Sequence, residues 1–491
     1  MRLPRLTFAG LWTFIAVALP VLGATLVPMS TIDLAYQVRA GDLMLSARDV
    51  LRTDPFTFTA AGAPWVDQQW GAQVLFAAVY AIGGWVLLSI LRSILVGASF
   101  ALLLAACRSA GAEPRAAAGL TLGAFVVALP SLALRPQLLG ILLFAVTLQL
   151  LARRDRAPRA TWLIPVIVVA WANIHGSFLL GPAAVGAAWL SDIVARRPGA
   201  RGLLAVGLTS LVTTVINPFG IDAWTYALGL TTNPSIERLA TEWQRTSPVS
   251  VTGAVFYFSV VAVAALLLLA RRQQSLPRWP ELAWLAGLAL LGAYAERGIA
   301  WWAIGAPVAV APIVARLAAS SVQSSAARPE RASAANASLA GLLGVAIVLL
   351  QPAWRPADPM AGPTGLLTDA PVGIARALRE VAGPTDRVFA PQRWGSWLEW
   401  AAPGIPVMVD SRIEVIPESA WADYLSIAAA EPGWEALLDR WGVTVAAVDS
   451  RDTAVLQSAL TATSDWIVVD EETDGTVLVR SRGRLGADPP R

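Results

Sequence analysis

Asp33, four residues beyond the long apolar run 8–29, is the residue of this chain best placed to do chemistry. It stands in a polar loop, 30–69, beside Tyr36 and Arg39. A carboxylate held so close to a bilayer surface can serve as a general base or help hold a divalent cation. It can equally be a solvated loop acid or a helix cap. Asp67, in Pro64-Trp-Val-Asp67-Gln-Gln-Trp70, reads either as the cap of a following helix or as a second carboxylate facing Asp33. Asp42, Asp49 and Asp54 read as ordinary loop acids, with Asp54-Pro55 a turn signal.

Cations and hydrogen-bonding groups recur at the ends of later apolar runs. Arg135, in Ser-Leu-Ala-Leu-Arg-Pro, occupies a hairpin with almost no loop to solvate it, so it either snorkels to the interface or pairs with an anion. A guanidinium there suits a phosphate. Asn173 and His175, the only histidine, close another run; the His suits proton exchange or a phosphate hydrogen bond, and a structural hydrogen bond accounts for it as well. Glu242 beside Trp243 is a pairing that contacts sugars and also decorates surface helices. Glu296 and Arg297 fall at a tip followed by Trp301 and Trp302; they neutralise each other, or Arg297 becomes a second phosphate ligand.

The elements that position these residues are membrane spans. The chain has 491 residues, 56% hydrophobic and 14% charged, a composition outside the ordinary soluble range. Apolar runs near 8–29, 84–107, 116–134, 138–152, 161–176, 178–195, 202–216, 251–270, 281–295, 299–317 and 338–353 predict about eleven transmembrane helices. All 37 basic residues are Arg. With the N-terminus cytoplasmic, they concentrate in alternate loops, as the positive-inside rule requires. That topology puts the plasma membrane around residues 1–353 and gathers the candidate residues at the outer face as one chamber. The stretch 69–107 is too long for one span; an interfacial or re-entrant helix over about 69–82 followed by a span from near Trp85 keeps the arginine pattern intact. Arg92 is the main charge inside a span.

Residues 316–336 read as a small, polar, basic linker. From 354 to 491 the character changes to a small extracytoplasmic α/β domain, with strands expected at 387–390, 406–410, 443–449, 466–470 and 476–480 among helical stretches. Residues 1–354 carry 25 Arg against 14 acids and residues 355–491 carry 12 against 20. A basic membrane part with an acidic tail argues against a nucleic-acid partner. The lone Cys107 excludes an intrachain disulfide.

This layout resembles the GT-C superfamily of integral-membrane glycosyltransferases: many spans, a long first external loop with an acid soon after span one, and a soluble tail. The motif-level likeness rests on Asp33 and, less fully, Asp67. Ile32-Asp33-Leu34 lacks the paired acids of better-known members, and Asp67-Gln68-Gln69 stands where they carry His-Pro. The resemblance implies transfer of a sugar from a polyprenyl-phosphate donor to an envelope glycan or lipid acceptor. Asp33 and Asp67 would be the catalytic acids, and Arg135, Asn173, His175, Glu242, Trp243, Glu296 and Arg297 would bind substrate. No ligand spacing indicates a metal, although a divalent cation is compatible. The competing classes are a transporter or flippase of a lipid-linked substrate and a non-catalytic scaffold with an envelope-binding tail.

Overall fold

The computed structural model describes residues 5–322 and 331–481; the middle of the expected linker lies outside the described residues. A helix lies on every one of the eleven apolar runs. The first is α1 (Phe8–Leu26), capped by Thr7, whose side chain accepts the Gly10 N–H. After the short strand β1 (Met29–Ser30) come α2 (Thr31–Ala47), α3 (Trp70–Ser109), α4 (Pro114–Ala128) and α5 (Pro136–Ala152). Next are α6 (Leu163–Ala172), α7 (Leu180–Val194), α8 (Ala200–Thr213), α9 (Asp222–Gly229) and α10 (Pro234–Leu239). The apolar series ends with α11 (Val251–Arg272), α12 (Trp279–Tyr294), α13 (Ile299–Val322) and α14 (Ala334–Leu349). Six helical segments among the described residues are long and apolar enough to cross a membrane. Their outward faces are apolar, as lipid demands: Phe258 on α11 is 76% exposed.

Helix α3 breaks where the sequence predicts a change from one helix to the next. Gly83 and Gly84 leave helical geometry, and Gly84 takes φ +60° with ψ −155°, a conformation open essentially to glycine alone. Residues 70–82 therefore form one helical piece and the part from Trp85 another. Arg92 is buried, and its Nη2 donates to the carbonyl oxygens of Ala24 and Val27. It thus satisfies acceptors at the C-terminal end of α1, where a cation also suits the helix dipole.

The chain divides into two compact units. One holds Met1–Val27, Val86–Thr232 and Ala240–Trp354; the other holds Pro28–Trp85, Asn233–Leu239 and Arg355–Arg491. The second unit ties the first loop to the tail. β1 pairs in parallel with β4 (Leu367–Thr368), and Thr31 Oγ1 donates to the carbonyls of Thr368 and Asp369. The Phe58 N–H donates to the Val407 carbonyl at 3.1 Å. Helix α2 packs along α16 (Gln392–Ala401).

Between these elements the tail forms a hairpin from β2 (Ala357–Asp358) and β3 (Gly362–Pro363). It also forms a four-stranded sheet from β5 (Val388–Phe389), β6 (Val445–Val448), β7 (Trp466–Glu472) and β8 (Gly475–Arg480) in the order β5-β6-β8-β7. Helices α15 (Val372–Val381), α17 (Glu418–Ala428), α18 (Trp434–Trp441) and α19 (Ala454–Thr461) alternate with these strands and α16. Residues 406–410, expected as a strand, contribute single bridges at Val407 to Thr57 and to Val388. The tryptophan-rich 394–400 stretch is helical, its apolar side buried as part of α16.

Candidate functional site

Within the first unit, four of the expected residues converge. Arg135 is the residue before α5, with Pro136 at the first helical position, where proline's fixed φ starts a helix. Its Nη1 donates to Glu242 Oε2, and Arg297 Nη1 donates to Glu242 Oε1 at 2.9 Å. Arg297 stands in the single 3-10 turn Glu296–Gly298 between α12 and α13. Gly298 is required there, because a Cβ would lie 2.1 Å from the Leu291 carbonyl oxygen. Gln137 Nε2 donates to the Arg297 carbonyl at 3.1 Å, and the Glu296 N–H donates to the Gln244 carbonyl at 3.2 Å. The guanidinium of Arg297 also lies 5.2 Å from the ring centroid of Trp243. Arg297 thus pairs with Glu242 rather than with its neighbour Glu296, whose Oε1 instead accepts from Ser250 at 3.4 Å.

Burial alone would raise the Glu242 carboxyl, but Arg297 and then Arg135 outweigh it and hold it below the ordinary carboxylate value. One carboxylate therefore serves two guanidiniums. The side chains of Arg135, Glu242 and Arg297 remain 29, 34 and 22% exposed.

His175 completes the group, and its hydrogen bonds fix its tautomer. The Ser177 backbone N–H donates to Nδ1 at 3.1 Å, so Nδ1 carries no proton and the ring's proton sits on Nε2. Ser177 Oγ, itself accepting from Trp171 Nε1 at 3.0 Å, lies 2.7 Å from Nδ1 and donates to it as well. Nε2 is 3.5 Å from Arg297 Nη2, so two donors face each other. Such a meeting of donors is relieved by an acceptor placed against both. Asn173 stands in a different role, since its Nδ2 donates to the Val169 and Ile216 carbonyls at 2.8 Å and ties the ends of α6 and α8 together.

Asp33 and Asp67 belong to the second unit. Asp33 is half-buried in the first turn of α2, behind the Ser30 cap, where a carboxylate suits the helix dipole. Asp67 is buried just ahead of α3; its Oδ1 accepts from the Gln69 N–H at 3.3 Å and from Gln73 Nε2 at 2.9 Å. Burial pushes its carboxyl up to about 7 against the lowering pull of those hydrogen bonds and of Arg412. Burial, then Asp33 and Glu414, push the neighbouring Tyr36 phenol well above its ordinary value. Glu414 escaped the sequence reading because nothing in Ile-Glu-Val-Ile sets it apart from a strand or surface acid. Gln137 and Ser177 escaped it too, as uncharged residues whose value lies wholly in what they orient.

The same unit contains a buried ion cluster. Arg412 Nη2 donates to Asp54 Oδ1 at 2.6 Å, and its Nε donates to Asp410 Oδ2 at 2.8 Å. Its guanidinium lies 4.7, 4.8 and 5.6 Å from the ring centroids of Trp65, Phe56 and Tyr36. Burial, and then Asp410, push the adjacent Glu399 carboxyl well above its usual range. Asp54, expected as an ordinary turn acid, is fully buried in this cluster and also accepts the Phe56 and Thr57 N–H groups at 3.1 Å. Among the described residues no group of three His, Cys, Asp or Glu side chains is arranged to hold a metal ion.

No protein-family model matches the sequence, and no curated protein matches it. Solved structures do. The archaeal oligosaccharyltransferase AglB from Archaeoglobus fulgidus, in complex with an inhibitory peptide and a dolichol-phosphate, aligns over 96% of this chain and 74% of its own, at 12% identity and TM-score 0.60. ArnT from Cupriavidus metallidurans, bound to undecaprenyl phosphate, aligns over 97% of this chain and 98% of its own, at 16% identity and TM-score 0.52. The mycobacterial arabinofuranosyltransferase AftD aligns over 98% of this chain and 42% of its own, at 17% identity and TM-score 0.56. A mostly helical chain that aligns with these three proteins over nearly its whole length shares their fold.

Proposed function

We propose that the protein is a membrane glycosyltransferase that moves a sugar from a polyprenyl-phosphate donor to an acceptor hydroxyl at the extracytoplasmic face. The observation that carries this reading is the crowding of donors around Glu242: two guanidiniums share one partly exposed carboxylate, and the His175 Nε2–H faces Arg297 Nη2. A phosphate brought against them supplies the missing acceptors. As the bond between the sugar's anomeric carbon and the phosphate oxygen breaks, negative charge grows on that oxygen, and fixed cations stabilise it without reorganising. Arg135 and Arg297 take that role, with His175 as a neutral hydrogen-bond donor; Trp243 and Glu296 shape the surroundings of Arg297. The acceptor hydroxyl forms the new bond to the anomeric carbon and must give its proton to a base; Asp33, with Asp67 as a second carboxylate, is the base proposed from the sequence. A divalent cation is compatible with this reading, and no step is assigned to one.

The eleven apolar helices are read as crossings, with the N-terminus cytoplasmic and the tail outside as an α/β domain. The transporter reading loses its best residue, because Arg92 is committed to the end of α1. The deciding experiment incubates purified protein with radiolabelled polyprenyl-phosphate sugars and a panel of glycan and lipid acceptors. Transfer that Arg297→Ala abolishes supports the proposal; no transfer by the wild type from any donor ends it.

A further inference from the structure

A second group of charged residues lies at the arginine-bearing ends of α5, α7, α12 and α13, apart from the cluster around Glu242. It surrounds a cavity of about 370 Å³. Pockets of roughly 300–1,000 Å³ are the size that small ligands fill. Four guanidiniums reach this region, Arg154, Arg197, Arg278 and Arg316. Two of them are already neutralised. Arg154 makes a fork to Asp192, Nε to Oδ2 at 3.0 Å and Nη2 to Oδ1 at 2.7 Å, and Arg197 Nη1 bonds Asp155 at 2.9 Å. Arg278 and Arg316, both exposed, line the cavity together with the one further carboxylate of Glu281, which leaves one positive charge in excess; Arg316 Nη2 also donates to the Ser275 carbonyl at 3.0 Å.

Glu281 supplies the second, independent observation. Its Oε1 accepts from Ser191 Oγ, while its Oε2 is buried with no hydrogen-bond partner among the described residues. A buried acceptor left without a donor is destabilising, more so when charged. The cavity therefore lacks two things at once, one negative charge and one hydrogen-bond donor. Leu148, Leu151, Trp284 and Val308 give it an apolar wall.

We infer that this cavity binds the headgroup of an anionic phospholipid of the phosphatidylglycerol type. Its phosphodiester carries the one negative charge that Arg278 and Arg316 require, its glycerol hydroxyl donates to Glu281 Oε2, and its chains run along the apolar wall. A zwitterionic headgroup leaves the charge uncompensated. The residues come from helices expected to end at the cytoplasmic face, where basic pockets between spans meet acidic lipid.

The test is native mass spectrometry of the full-length protein in detergent micelles, titrated with phosphatidylglycerol, phosphatidylethanolamine or phosphatidylcholine. One retained phosphatidylglycerol molecule is expected, favoured at least about fivefold over phosphatidylcholine. Arg278 is exposed, so Arg278→Gln keeps the fold, checked by an unchanged Tm, and lowers retention about fivefold. Arg272→Gln, on an exposed arginine at the end of α11 that does not line the cavity, leaves it unchanged. Equal retention of both lipids, or equal loss in the two variants, overturns the inference. Displacement of the lipid by equimolar glycerol 3-phosphate reassigns the cavity to a soluble phosphate ester and overturns the lipid assignment.

Discussion

Two ion clusters in this molecule have opposite stoichiometry. Around Glu242, two arginines share one carboxylate, and their side chains stay 29 and 22% exposed. Around Arg412, two carboxylates share one guanidinium, at 0–1% exposure and with aromatic rings on its faces. The second cluster has its guanidinium paired with two carboxylates and closed to water, so its charge calls for no anion from outside, although Arg412 Nη1 and both Glu399 carboxyl oxygens have no hydrogen-bond partner among the described residues. In the first, two guanidiniums meet one carboxylate and stay partly open to water, so an incoming anion can reach them. Stoichiometry and access, more than the presence of charges, separate a cluster that closes on itself from the one proposed to meet the donor phosphate.

The harshest way to break that contrast is to remove Arg412. Arg412→Leu leaves Asp54 and Asp410 buried without their cation, and breaking a buried ion network in this way costs about 3–5 kcal/mol. The expected outcome is a large drop in Tm or failure to fold, followed by thermal unfolding of the purified protein. A soluble, native-like variant with unchanged Tm would mean that the cluster around Arg412 does not hold its unit together.

Asp67 sharpens the same boundary through pH. Its carboxyl titrates at about 7 in the fold against an ordinary value of 3.8. Below about pH 4 both folded and unfolded chains are protonated there and no cost arises. As pH rises from there to about 7, only the unfolded chain ionises, and stability falls by up to about 4 kcal/mol, then levels off. Asp67→Asn is therefore expected to raise Tm at pH 8 and to converge on the wild type near pH 4. An acid kept at such a cost fits a working carboxylate, so the stabilised variant is also expected to lose transfer activity. Stabilisation with full activity would leave Asp67 a cap.

At the Glu242 cluster the expected order of effects reverses. Arg297→Ala removes one of the cations assigned to the departing phosphate, and loss of one such preorganised donor costs about 10²–10³ in kcat. Because the cluster is partly open to water, Tm is expected to move little. Side-by-side turnover and melting measurements on Arg297→Ala and Arg412→Leu therefore test the comparison directly. A variant of Arg297 that unfolds the protein while leaving turnover per folded molecule intact would merge the two clusters into one structural class.

Some of this was legible in the sequence. Apolar length marked the helices, and the length of 69–107, too great for one span, marked a break between about 82 and Trp85, where the structure puts it at Gly83 and Gly84. Arg135, His175 and Arg297 were visible because a charge or a histidine beside hydrocarbon is expensive and so stands out, and Glu242 because it stands beside Trp243. What could not be read was partnership. Asp54 looks like any acid before a proline, and only the fold brings it to Arg412, more than three hundred residues away. The threading of the first loop onto the tail by β1 and β4 has no local signal either, since each strand is two residues long and register comes from the rest of the unit.

The mildest substitution discriminates most finely. Glu242→Gln keeps the shape of the carboxylate and removes its charge, so Arg135 and Arg297 lose their shared counterion and only one of them keeps its hydrogen bond, the amide NH2 replacing the other's acceptor. If Glu242 exists to balance cations until the donor binds, then its removal makes the cluster hungrier for phosphate. Binding of a short-chain polyprenyl phosphate, measured by calorimetry, is expected to tighten roughly threefold to tenfold, about 0.7–1.4 kcal/mol. The gain should shrink as salt is raised, because the cluster is open enough to be screened. Turnover is expected to fall despite the tighter binding, since guanidiniums no longer held by the carboxylate are less well aimed at the charge that develops on the leaving oxygen. At Asp54, removal of one charge leaves Arg412 still paired to Asp410 and nothing gains affinity for anything. Weaker phosphate binding in Glu242→Gln would show instead that the carboxylate is needed to hold the arginines in place, and the first cluster would then be as finished as the second.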